Sequence, residues 1–174
     1  MAKRPTGEKS CLALRVLAWF ALGLGPAVAE LGRTEQRDVA NPDHFQCHGR
    51  NHFSGAIDVP IEKQDDSGSW PYAAFFIDPV LGTPTIVYGH RFRALDPLMQ
   101  AFIRRHECQH ANNVRDEIAA NCTALAQMRS QGLTPQQEAH LERWHMAVGQ
   151  LDPQYGGNGA AFWERTVRCA AAAH

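Results

Sequence analysis

Five residues, His106-Glu107-Cys108-Gln109-His110, constrain this chain more than any other stretch. On an α-helix, side chains four apart stand one above the other on the same face. An H-E-x-x-H run therefore asks for a helix whose two imidazoles share one metal ion. The glutamate beside the first histidine then reaches a water at that ion. Nine His and nine Glu in 174 residues would produce the run by chance roughly once in forty such chains, so its surroundings decide its weight. The plain alternative is a charged, solvated helix face that happens to carry two histidines.

The surroundings favour a helix. Leu95, Leu98, Met99, Phe102, Ile103, His106 and His110 follow steps of three and four residues, so both histidines continue an apolar face. Asp96-Pro97 supplies a cap and a first-turn proline, and Asn112-Asn113 a stop, which predicts a helix from about Ala94 to Asn112. Before it, Trp70–Ile77 and Pro84–Tyr88 read as two strands joined by turn residues, a hairpin. After it, three more helices are expected. One runs from Val114 or Arg115 to Ser130. One opens on the capping box at Thr134-Pro135-Gln136-Gln137 and ends near Gly149. The last runs from Ala160 to about Ala172. Residues 30–69 are polar and rich in turn formers, which reads as mostly loop with short elements.

The first 29 residues read as a signal peptide. A basic start with Lys3, Arg4, Lys9 and Arg15 precedes an apolar run from Val16 to Leu24, and Ala27-Val28-Ala29 is a cleavage sequence. The apolar run is too short to span a bilayer comfortably. Export to the periplasm or outside the cell is the expectation, leaving residues 30–174 as a single domain. Cleavage removes four bases and one acid, so the formal net charge falls from −1 to about −4. No basic patch remains to suggest nucleic acid, and no second apolar run suggests a membrane span.

Export also gives the cysteines a meaning. Cys11 leaves with the signal, and Cys47, Cys108, Cys122 and Cys169 make an even count in an oxidising compartment, hence two disulfides. Three pairings are possible. On a helix Cys108 lies about 180° from the midpoint of His106 and His110, pointing away from any metal. The expected pairs are Cys47–Cys108 and Cys122–Cys169, with the other pairings open. A second metal cluster from His44, Cys47, His48 and His52 is less expected than disulfide use of Cys47 and solvated histidines.

A zinc site that does chemistry takes three protein ligands and keeps a position open. Asp116 and Glu117 are the nearby acids. On an unbroken helix Glu117 would stand roughly 10 Å beyond His110. A chain reversal at Asn112-Asn113 would instead fold a second helix back and present Glu117 to the metal. The simpler role for either acid is a first-turn carboxylate that stabilises a helix N-terminus.

H-E-x-x-H followed by E-x-x-A-D on the next helix is the gluzincin metallopeptidase pattern. Glu117-Ile118-Ala119-Ala120-Asn121 resembles its second half, and the likeness covers about residues 70 to 130. The resemblance implies Zn²⁺ held by His106, His110 and Glu117, with Glu107 as general base. It also implies an edge strand that holds an extended peptide, for which Thr85–Tyr88 is the candidate. Asn121 stands where the family carries Asp; its amide oxygen can still orient a ligating histidine, without the charge. The rival is a metzincin-like set, with Asn113 at the turn and Asp116 as third ligand; Glu117 is preferred because Ala120-Asn121-Cys122 follow it.

The fold these features imply is a compact α+β zincin-like domain, a β-hairpin or small sheet plus about four helices, stapled by disulfides. The function expected is a zinc-dependent metallopeptidase acting on peptide or protein substrates, with Tyr155 or His145 as candidate oxyanion donor. Two alternatives stand beside it. One is a degenerate zincin that binds metal or a partner without turnover, favoured by Arg104, Arg105 and Asn121. The other is a disulfide-stabilised exported protein without metal.

Overall fold

The structure, a computed structural model, describes residues 39–41, 43, 45–148 and 158–172. The expected signal peptide, His44, Tyr155 and the end of the third helix at Gly149 lie outside the described residues. Five short strands precede four helices: β1 (Gly49–Arg50), β2 (Ile57–Asp58), β3 (Ile61–Gln64), β4 (Ala73–Ile77), β5 (Pro84–Tyr88), α1 (Pro97–Ala111), α2 (Glu117–Ser130), α3 (Pro135–Val148) and α4 (Gly159–Ala172). Among the described residues the fold is α+β, with two small sheets, four helices and two disulfides.

The expected hairpin is present: β4 pairs antiparallel with β5, Ala73 facing Tyr88 and Ile77 facing Pro84. The segment read as mostly loop adds a small β1–β2 hairpin and a third strand, β3, which runs parallel to β5. That addition corrects one expectation. The sheet order is β3-β5-β4, so Thr85–Tyr88 lies in the central strand, and the edges are β3 and β4. The sequence of β3, Ile-Glu-Lys-Gln, is largely exposed and carries no alternation to betray it.

α1 forms the wall between two apolar cores. On one side Ile103, Cys108 and Ala111 pack with Ile86 and Tyr88 of β5 and with Phe92. On the other, Leu98, Met99 and Phe102 pack with Leu125 and Met128 of α2, Leu141 of α3 and Trp163 of α4. Phe102 and Ile86 are essentially excluded from solvent. A helix buried on two sides leaves few positions for charge, which makes the polar group at His106, Glu107 and His110 conspicuous.

The disulfides are Cys47–Cys108 and Cys122–Cys169, the expected pairs. The first ties the segment before β1 to the back of α1; the second ties α2 to α4. Both are consistent with an oxidising, exported location. No helix among the described residues is long and apolar enough to cross a membrane.

Candidate metal centre

The ends of α1 do more than stop it. Asp96 caps the N-terminus, its carboxylate accepting from the Met99 N–H at 3.1 Å, and Pro97 occupies the first turn. At the other end Asn113 takes a left-handed conformation, φ 65°. Its N–H donates to the His110 carbonyl at 2.9 Å, and the Val114 N–H donates to the Gln109 carbonyl at 3.0 Å. These are the two bonds of a Schellman stop. The stop turns the chain and sets the Val114 carbonyl against the ring of His110, whose Nδ1 lies 2.6 Å away.

Three residues after Val114, α2 begins. Asp116 caps it, accepting from the Ala119 N–H at 2.7 Å. Glu117, the first residue of α2, therefore points back along α1. Its Oε2 lies 3.2 Å from His106 Nε2 and its Oε1 3.6 Å from His110 Nε2. The two Nε2 atoms are 3.0 Å apart. All three ligand-type atoms lie within 4.8 Å of one another, and no other such group occurs among the described residues. Asp116, the rival third ligand, spends its carboxylate on the cap instead.

The second nitrogens of the rings are held as well. His106 Nδ1 lies 2.7 Å from Asn121 Oδ1, one helical turn beyond Glu117. A backbone carbonyl only accepts, so His110 Nδ1 carries its proton to Val114; an amide oxygen imposes the same on His106. With Nδ1 engaged from behind, the Nε2 edges of both rings face each other and the Glu117 carboxylate. A metal ion among them would take the place of the protons that such hydrogen bonds require. Two imidazole nitrogens and a carboxylate, oriented from behind, fit a divalent transition metal.

The electrostatics agree with the geometry. Burial opposes the charge on Glu117, but hydrogen bonding with His106 and His110 outweighs it and holds the carboxyl well below the usual range. Burial also opposes the charge on His110, yet Glu117 and the Val114 carbonyl raise its pKa above the ordinary value. Glu107 is pushed the other way, raised chiefly by burial.

These residues open onto a cavity of about 720 Å³. Strand β4 forms one wall, and Glu107, Trp144 and His145 are among the rest of the lining. His145 is buried between the rings of Phe102, Trp144 and Trp163. Its Nδ1 donates to the Leu141 carbonyl at 2.8 Å. Burial pulls its pKa down to about 4. At neutral pH its Nε2 thus carries no proton, and His145 is an acceptor rather than an oxyanion donor.

Arg104 and Arg105, unusual neighbours for His106, turn their charges elsewhere. Arg104 donates to both carboxylate oxygens of Glu62 on β3, each at 3.0 Å. Arg105, about 1% exposed, donates to the Ala101 carbonyl and to Gln131 Oε1, and lies over the ring of Phe45. Burial, with Arg104 adding to it, lowers its pKa to about 10, so it remains a cation at neutral pH. The mixed His–Cys cluster does not form: Cys47 is in a disulfide. His140, exposed, pairs with Asp96 at 2.9 Å.

Sequence reasoning did not find the Val114 carbonyl behind His110, nor His52, Arg91, Arg115 and Trp144 around the cavity. Only the turn signal at Asn112-Asn113 pointed toward Val114; the others come from separate segments. No protein-family model, no curated protein and no solved structure matches this chain.

Proposed function

We propose that the protein is a gluzincin-type zinc metallopeptidase that hydrolyses peptide bonds after export. The observation that carries this reading is the convergence of His106 Nε2, His110 Nε2 and the Glu117 carboxylate beside the buried Glu107, at the mouth of a cavity walled by an edge strand. A zinc ion at the triad would polarise a scissile carbonyl and lower the pKa of water there. Glu107 is the general base. Its raised pKa suits a group that takes a proton from water and hands it to the leaving amine. Asn121 and Val114 fix the ring orientations. β4 pairs with β5 along one side only, leaving its other edge to bind an extended peptide by main-chain hydrogen bonds.

The test is zinc-loaded protein incubated with a peptide mixture, with new termini read by mass spectrometry. Wild type is expected to cut, and Glu107→Gln to bind zinc but lose about 10²–10⁴ in rate. Chelation should stop the wild type and added zinc restore it. Intact peptides under zinc-loaded wild type would contradict the reading. They would favour a metal-binding protein without turnover, for which the uncharged Asn121 behind His106 is the supporting observation.

A further inference from the structure

The cavity has a charge pattern of its own. Apart from Glu107 and Glu117, the charged side chains that line it among the described residues are Arg91 and Arg115; no Asp and no Lys contributes. Both arginines are exposed. Elsewhere among the described residues Arg104, Arg129 and Arg168 each pair with a carboxylate, whereas Arg50, Arg93, Arg143 and Arg165 do not; what sets Arg91 and Arg115 apart is their place in the cavity lining. Arg91 and Arg115 have no such partner among the described residues.

The two stand in different parts of the cavity. The Arg91 N–H donates to the Pro71 carbonyl at 2.9 Å, which fixes Arg91 beside the Ala73 end of β4. Arg115 lies in the turn between α1 and α2, directly after Val114, whose carbonyl holds His110. A divalent cation at the triad would balance Glu107 and Glu117, and the arginines would then leave the cavity net positive in a chain whose formal charge is −1, or about −4 without the expected signal peptide. A cleft lined by one sign of charge attracts ligands of the other and disfavours like charge.

We propose that the site selects acidic peptides, with Asp or Glu side chains flanking the position that faces His106, His110 and Glu117, and with Arg91 and Arg115 as the determinants. The inference rests on the peptidase reading for the kind of ligand, and adds its charge.

The test uses zinc-loaded Glu107→Gln protein, with zinc-loaded Glu107→Ala as a second non-cleaving host in case that variant folds poorly. Three fluorescent peptides differ only in carrying Glu, Gln or Lys at the flanking positions, and binding is read by anisotropy. The Glu peptide should bind about tenfold tighter than the Gln peptide, and the Lys peptide weakest. The exposed double variant Arg91→Gln/Arg115→Gln should bring the Glu and Gln peptides within about twofold, and so should about 1 M salt. Equal binding of the three peptides, or a preference that survives the double variant, overturns the charge proposal and leaves the peptidase reading standing. Tight binding of the Glu peptide that zinc-loaded wild type never cleaves overturns the peptidase reading alone. Binding of none overturns both.

Discussion

At the scale of single residues, the groups that hold each ring from behind set the geometry of the triad. Asn121 is buried, and its amide oxygen fixes the tautomer and angle of His106. Asn121→Ala should therefore weaken zinc binding about 10- to 100-fold. Asn121→Asp should bind at least as well as wild type, because a carboxylate makes the ring a stronger donor to metal. Competition against a chelating dye measures both, and wild-type affinity in Asn121→Ala would contradict the role. His145 gives a pH signature instead. Its folded pKa, about 4, lies below the ordinary histidine value of 6.5. Between these values the unfolded chain binds a proton that the native chain does not, so stability rises with pH across this window. The contribution is fully present above about pH 6.5 and is lost as pH falls toward 4, roughly 3 kcal/mol in all at about 1.4 per pH unit. Urea midpoints at pH 7 and pH 5 should fall more for wild type than for His145→Phe. Equal falls would contradict a neutral, buried His145.

At the scale of elements, much was legible and the gaps have physical reasons. α1 announced itself through its apolar spacing and its Asp96-Pro97 cap, and the observed start at Pro97 differs from Ala94 because a 3₁₀ turn, Phe92–Ala94, occupies the approach. The pairing of Glu117 with the histidines was legible because two asparagines mark the stop of α1, and Asn113 does adopt the left-handed conformation. α2 starts at Glu117 rather than at Val114 or Arg115 because the Schellman stop and the Asp116 cap consume the intervening residues. β3 was not legible. A four-residue edge strand, mostly exposed, is held by pairing with β5, and local sequence does not encode a parallel partner twenty-four residues away. The misassigned edge strand follows from that omission. The disulfides join elements whose packing matters to the site: Cys122 follows Asn121 directly, and its partner Cys169 lies on α4. Replacing both by Ser should cost about 2–5 kcal/mol, seen as a lower urea midpoint. An unchanged midpoint would show that α2 and α4 hold together without the bond.

At the scale of the whole molecule, one helix organises everything. α1 separates the two cores, carries both histidines and Glu107 on its cavity side, and anchors a disulfide through Cys108 on its back. The strands matter chiefly because β4 and β5 both pack on α1, which sets β4 along the cavity that the triad also lines. The triad and the fold thus share one support, and an ion that bound only the native chain would stabilise the whole. The central claim is that this arrangement holds a metal through His106, His110 and Glu117. Elemental mass spectrometry of the oxidised protein, beside His110→Ala, Glu117→Ala and Asp116→Ala, tests it most directly. The account predicts about one zinc per chain in wild type and Asp116→Ala, and none in His110→Ala or Glu117→Ala. Zinc absent from wild type after it is offered, or lost from Asp116→Ala but kept in Glu117→Ala, would contradict it.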